Sequence, residues 1–183
     1  LDKIISPKRL LVSTSSDKYL CELVAERILG HQVQDFGGTI EMQRGTDLEG
    51  GAVAYYEFVT GRKTEKCGFA LTDDGRVGAS PDRIVGEDGL LEAKSPMAHT
   101  QIGYLLSGID AEYRLQLQGQ LYVTERQWVD FIAHCPGLPD VQLRVHRDKE
   151  VLDKLVPALR DFCDSVDAAE QRIRAMMAQG VAA

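Results

Sequence analysis

Three residues near the middle of the chain have types that can do hydrolytic chemistry and a spacing that can gather them. Asp82 follows a proline, Glu92 stands ten positions later, and Lys94 two positions after that. On one strand, Glu92 and Lys94 project from the same face while Leu91, Ala93 and Ser95 project from the other. Asp88-Gly89 is a hairpin dipeptide, so the Glu92 strand folds back antiparallel to the strand that follows Asp82. Two carboxylates and an amine then meet at one end of a sheet. A hard divalent cation prefers carboxylate oxygens, completed by backbone carbonyl and water. Asp82 and Glu92 offer the carboxylates, and the Ala93 carbonyl can add a third oxygen. A cation held there lowers the pKa of bound water and neutralises charge on a phosphate oxygen. Lys94 can hold the attacking water or stabilise transition-state charge. The competing reading is a salt-bridge ladder on a surface hairpin, and the spacing of three residues does not separate the two.

The elements around these residues decide whether they can be positioned. A helix is predicted over 111–124, with the polar run Tyr113-Arg-Leu-Gln-Leu-Gln-Gly-Gln-Leu-Tyr122. Tyr113, Gln116 and Gln120 share one of its faces, Gln118 falls elsewhere, and Gly119 permits close approach to a sheet. Gln116 can therefore orient the water or the scissile phosphate. A second helix is predicted from about Thr39 to Val59, closed by Thr60-Gly61, with Ala52, Val53 and Tyr56 available for packing. Met42 and Glu49 are seven residues apart on it and share a face; Glu49 is either a solvated helix charge or the acid that completes a second metal site. Short strands are predicted at Cys67–Thr72, Arg76–Ala79, Arg83–Val85 and Leu90–Lys94, with Asp73-Asp74-Gly75 and Gly86-Glu87-Asp88-Gly89 as turns. Trp128–His134, nearly all apolar, reads as a central strand, and Val141–His146 as its neighbour across Pro136-Gly137-Leu138-Pro139.

At the ends of the chain the pattern is helical. Ser15 or Ser16 caps a helix through Leu29, with Gly30 as its stop. Asp148 starts a helix to about Gln179 whose stripe runs Leu152, Leu155, Leu159, Phe162, Val166, Ala169, Ile173, Met177. Pro157 inside it predicts a kink or break. A small sheet cannot cover all of so long a helix, so its outer half either packs on another subunit or protrudes. Residues 1–15, with Lys3, Lys8 and Arg9, read as a solvated arm in preference to the alternative, a phosphate-contacting entry segment.

Composition narrows the classes further. A chain of 183 residues is one domain with room for a core. The formal net charge of −7 argues against nonspecific coating of nucleic acid and leaves room for a nuclease with basic groups confined to a channel. No apolar run approaches the ~20 residues of a membrane span. Cys21, Cys67, Cys135 and Cys163 form no C-x-x-C pair, which favours isolated reduced thiols over a zinc ribbon. His31, His99, His134 and His146 lack the helical spacing of a metal pair and read as surface or core residues.

The motifs also occur in a telling order. Arg44-Gly45 and Glu49 precede Ala52, Tyr56-Glu57 and Thr60-Gly61; Ala79-Ser80-Pro81-Asp82 and Gly89-Leu-Leu-Glu-Ala-Lys-Ser-Pro96 follow; then come Tyr113, the Gln116–Thr124 run and Trp128. From about Tyr19 to Phe162 this resembles the lambda exonuclease or YqaJ type of phage recombination (alkaline) exonuclease, within the PD-(D/E)xK nuclease superfamily. The resemblance implies an α/β (α+β) fold with a restriction-endonuclease-like core: a central mixed sheet of about five strands flanked by helices. It implies metal-dependent 5′-to-3′ digestion of one strand of linear duplex DNA, leaving a 3′ overhang for recombination by single-strand annealing. Mg²⁺, with Mn²⁺ as the alternative, is the implied cofactor, at one or two ions per subunit. Duplex DNA ends and a single-strand annealing protein are the implied partners, with no membrane. A homotrimeric ring in the cytoplasm of a bacterial host, encoded by phage or prophage, is the implied setting.

Carried over by position, Asp82, Glu92 and the Ala93 carbonyl match metal ligands, and Glu49 the further acidic one. Lys94 matches the catalytic lysine and Gln116 its helical partner. Ser80 matches a serine on the terminal 5′-phosphate, and Met42 a wedge that splits the end base pair. Tyr113 matches a tyrosine of open role. The family's N-terminal Arg-x-Gly segment is poorly matched by Leu1–Arg9, leaving Ser6 and Arg9 as substitutes for its phosphate contact. Ser95 replaces the usual cysteine. Two alternatives stand beside the exonuclease: a structure-specific or restriction-like endonuclease of the same superfamily, and a non-catalytic module that binds DNA ends.

Overall fold

The computed structural model describes residues 1–33 and 40–180, with backbone only for 40–49. The chain falls into two compact units, Gly38–Leu152 and the pair Leu1–Gly37 with Asp153–Ala183. The first holds the residues singled out above.

That unit is an α+β arrangement about a five-stranded mixed sheet. Its elements are α2 (Ile40–Thr60), β1 (Glu65–Lys66), β2 (Ala70–Leu71), β3 (Gly78–Ala79), β4 (Arg83–Val85), β5 (Gly89–Lys94), α3 (Ala98–Ser107), α4 (Ala111–Thr124), β6 (Trp128–Ala133) and β7 (Val141–His146). The strand order is β1-β4-β5-β6-β7, and β2 with β3 forms a separate two-stranded ribbon. The hairpin signal at Asp88-Gly89 holds: β4 and β5 are antiparallel, Arg83 opposite Leu91 and Val85 opposite Gly89. β5 and β6 are parallel, Glu92 opposite Phe131 and Lys94 opposite Ala133. A parallel pair needs a crossover, and α3 and α4 are that connection.

The sheet is covered on both faces. On one, Leu90, Val129, Phe131 and Ala133 pack with Leu117 and Leu121 of α4 and Tyr104 of α3. On the other, Val85, Leu91, Ala93 and Ile132 meet Ala52, Val53 and Tyr56 of α2. A strand buried on both faces reads as continuously apolar, which explains β6, an interior strand between β5 and β7. Glu92 and Lys94 share the face of Leu90, and so look toward α4.

Several expectations need correction. Cys67–Thr72 is not one strand: Glu65–Lys66 joins the main sheet beside β4, while Ala70–Leu71 pairs with Gly78–Ala79 in the ribbon. Two-residue strands have no periodicity to read. α3 was absent from the sequence pattern because its burial is inverted: Gln101 and Tyr104 are buried, while Ile102, Leu105 and Leu106 are exposed.

In the other unit, α1 (Ser16–Leu29) ends at Gly30 in the left-handed conformation, as expected. Its Tyr19 stacks on Phe162, and its Arg27 pairs with Asp167 at 2.7 Å. Both partners lie on α5 (Lys149–Ala178), which runs through Pro157 without the expected break. Burial of Leu155, Leu159, Phe162 and Val166 on either side of the proline outweighs the lost backbone bond. The solvated-arm reading of residues 1–15 holds only in part: Ile4 and Ile5 are buried and Ile5 bridges to Val12, while Lys8, Arg9, Leu11 and Val12 are exposed. All four cysteines are free, and no described helix is long and apolar enough to cross a membrane.

Candidate active site

The site is built where β4 gives way to the Ser80-Pro81-Asp82 approach and β5 continues past it. The pairing of β4 with β5 stops at Arg83 and Leu91. Two residues further along β5, the Ala93 N–H donates to Asp82 Oδ2 at 2.7 Å. The Asp82 carboxylate thus replaces the next rung of the ladder. In a strand, the N–H and C=O of one residue leave by the same edge, so the Ala93 carbonyl faces the edge where Asp82 lies. The Lys94 carbonyl leaves by the other edge and accepts the His134 N–H at 2.9 Å.

Glu92 is the buried centre, with 1% of its surface exposed. A buried carboxylate must be hydrogen-bonded or paired, and three groups meet that need. Lys94 Nζ donates to Oε1 at 2.5 Å and Gln116 Nε2 donates to the same oxygen at 2.9 Å. Gln120 Nε2 donates to Oε2 at 2.7 Å. The two glutamines stand one turn apart on α4, at the i, i+4 spacing that stacks side chains on one face. Gln118, off that face, instead receives the Asp148 N–H and donates to the His146 carbonyl.

Lys94 is half-buried beside negative charge. Burial alone would pull its pKa down. The charge and hydrogen bond of Glu92, followed by Asp82 and Tyr113, outweigh this and hold it above the ordinary lysine value. Its ammonium lies 5.8 Å from the centroid of the Tyr113 ring. Tyr113 leans on Phe131 at 5.5 Å and meets Tyr104 edge-on at 6.1 Å. A ring face at this distance attracts the ammonium without accepting one of its hydrogen bonds.

The structure therefore brings Asp82, Glu92, Ala93, Lys94, Gln116 and Tyr113 into one cluster. Ser80 is exposed, two residues before Asp82 in the approach from β3. Ser6 and Arg9 lie in the N-terminal turn region of the other unit, where the Ser6 N–H donates to the Leu11 carbonyl. The side chains of Met42 and Glu49, both carried on α2, lie outside the described residues. Among the described residues no three His, Cys, Asp or Glu side chains cluster to hold a metal. The Asp82–Glu92–Ala93 set nonetheless fits a hard cation by its chemistry: every donor is oxygen, two are carboxylates, and one nearby ammonium leaves the cluster net negative. Gln120 is the contact that the sequence did not assign. Its spacing from Gln116 placed it on the right face, but nothing along the chain names its partner.

Residues 8–127 match the model of the YqaJ-like viral recombinase domain, a span that contains every residue of the cluster. The chain superposes on the alkaline exonuclease LHK-Exo from Laribacter hongkongensis with a TM-score of 0.85 and 28% identity, covering 98% of this chain and 91% of that one. LHK-Exo in complex with dAMP gives 0.84 and 29% identity, with 98% and 95% covered. A phage-related exonuclease from Haemophilus somnus 129PT shares the fold at 0.67 and 14% identity, over 92% of this chain and 87% of that one. No curated protein sequence gives a significant match.

Proposed function

The chain belongs to the YqaJ-like viral recombinase domain family, and on that premise we propose that it is a metal-dependent exodeoxyribonuclease. It digests the 5′-ended strand of linear duplex DNA and leaves a 3′ overhang for recombination by single-strand annealing. The observation that carries the reading is Glu92, buried on one strand with Lys94 and Gln116 on one oxygen, beside an Asp82 seated on the Ala93 amide.

Asp82, Glu92 and the Ala93 carbonyl would hold Mg²⁺ or Mn²⁺, at one or two ions per subunit, with Glu49 as the further acidic ligand. A cation bound there supplies a water of lowered pKa and neutralises charge on the scissile phosphate. Lys94 has three donors; it keeps one on Glu92 and presents another to the attacking water or to a phosphate oxygen. Gln116 holds Oε1 of Glu92 and orients the water with its amide oxygen. Tyr113 closes the side of Lys94 away from the substrate. Ser80 receives the terminal 5′-phosphate, Met42 parts the end base pair, and Ser6 and Arg9 contact the backbone. Both units act as one nuclease domain in a homotrimeric ring in the host cytoplasm, with duplex ends and an annealing protein as partners. The exposed Ile173 and Met177 at the end of α5 suit such an assembly.

The test uses duplex labelled on either strand, linear or as a closed circle. Mg²⁺-dependent loss of the 5′-ended strand, with circles intact and EDTA stopping the reaction, is expected. Cutting of closed circles would establish the endonuclease instead. Binding of ends with no hydrolysis at any divalent cation would establish the non-catalytic module. Light scattering should give about three times the 20.2 kDa chain mass; a monomer that digests processively rules out the ring.

A further inference from the structure

The three hydrogen bonds on Glu92 are unevenly shared. Oε1 takes both Lys94 Nζ and Gln116 Nε2, at 2.5 and 2.9 Å, while Oε2 takes only Gln120 Nε2, at 2.7 Å. Each carboxylate oxygen offers two lone-pair sites. Oε1 is therefore filled, and Oε2 keeps one position. The Gln120 contact is also deep: Glu92 is 1% and Gln120 3% exposed, so water does not compete for it.

Gln120 has a second unusual feature. Its Oε1 is buried and has no hydrogen-bond partner among the described residues. A buried amide oxygen without a partner is unfavourable, and an apolar side chain of similar size would avoid that penalty. The amide is explained by what its N–H holds. Gln118, two residues away, shows the contrast, since both ends of its amide are used in bracing β7 to the start of α5.

We infer that Gln120 is a positioning residue: it fixes the rotation of the Glu92 carboxylate so that Oε2 alone takes the cation, while Oε1 stays with Lys94 and Gln116. The inference rests on the cation reading proposed above. With the Gln120 N–H removed, the carboxylate can turn about its last bond. The oxygen meant for the cation then drifts, and Lys94 loses a fixed partner. Outer groups that orient metal ligands typically change affinity or activity by about 10- to 100-fold.

The experiment measures Mn²⁺ binding by titration calorimetry, alongside kcat and KM on linear duplex, for Gln120→Met, Gln120→Asn and Gln118→Met. Gln120→Met removes the N–H at nearly constant volume. Gln120→Asn keeps an amide but sets it one methylene short of Glu92. Both are expected to bind Mn²⁺ about 10-fold or more weakly and to lose kcat, with KM for duplex little changed. Gln118→Met is expected to lower the melting temperature and leave Mn²⁺ affinity at the wild-type value. Wild-type affinity and kcat in folded Gln120→Met or Gln120→Asn overturn the inference. So does an equal loss of affinity in Gln118→Met, which would mark a general packing effect. A wild-type protein that neither binds Mn²⁺ nor cleaves DNA rejects the cation reading itself, so the two failures are distinguishable.

Discussion

Two carboxylates on opposite faces of one sheet show how similar hydrogen bonding can serve different ends. Glu92 looks toward α4, and Asp130 of the neighbouring strand looks toward α2. Each accepts three hydrogen bonds from described residues: Asp130 takes Arg144 Nε and Nη2 and the Tyr56 hydroxyl, all at 2.7 Å. The difference lies in charge and geometry. Arg144 meets Asp130 as a planar two-pronged fork, a full charge in matched geometry, and it lies 3.8 Å over the Trp128 ring. Burial, followed by the bond to Asp130, raises the Tyr56 pKa and keeps its hydroxyl a donor. That side is electrically complete and braces the sheet. On the α4 side, among the described residues, two carboxylates lie near one lysine on a flexible stem, helped by neutral amides. Among the described residues, that side sets one lysine against two carboxylates, an imbalance that the proposed cation would offset.

The comparison breaks most visibly if the two sides are mutated. Asp82→Ala and Lys94→Ala should each lower single-turnover release of nucleotides by at least about 100- to 1000-fold, the scale of losing one preorganised electrostatic contact. Full activity in either would end the proposed mechanism. Arg144→Met should do the opposite: it leaves the half-buried Asp130 with the Tyr56 hydroxyl as its remaining described partner, costing about 2 kcal/mol of stability in urea unfolding once solvent screening is allowed for, with kcat unchanged per folded molecule. Gly89→Ala sharpens the structural side, because an added Cβ would sit 2.2 Å from the Trp128 ring. Displacing that ring should cost about 2 kcal/mol, read from the same unfolding curves. Arg62→Ala removes the outer, exposed cation 5.2 Å from Trp128. The expected loss is about 0.5 kcal/mol, and a larger loss would mean that both sides of the ring are structural.

How far these features were legible depended on whether they were local. The Asp88-Gly89 turn, the alternation that turns Glu92 and Lys94 to one face, and the face shared by Tyr113, Gln116 and Gln120 are short-range regularities. Each appears in the structure as read. α3 was not legible because a buried glutamine carries its packing: Gln101 donates to the carbonyls of Ala133 and Pro139 at 3.1 and 2.7 Å. A pattern that looks for apolar residues at the buried positions finds them on the exposed side instead. At the C-terminal end, the continuity of α5 through Pro157 goes with packing distant in sequence, such as Phe162 stacked on Tyr19.

By itself, the sequence determined the order of the motifs, the types of the reacting groups and the faces they occupy, because turn chemistry and the two- and 3.6-residue periods act over a few residues. Only the tertiary structure decided which atoms meet. Asp82 takes the Ala93 amide because the β4 ladder stops one rung early. Oε1 of Glu92 takes two hydrogen bonds and Oε2 one because α4 crosses the sheet with Gln116 and Gln120 one turn apart. The division between a carboxylate held by an arginine fork at Asp130 and one held by neutral amides and a lysine at Glu92 follows largely from neighbours 14 to 74 residues away, and no local period encodes those distances.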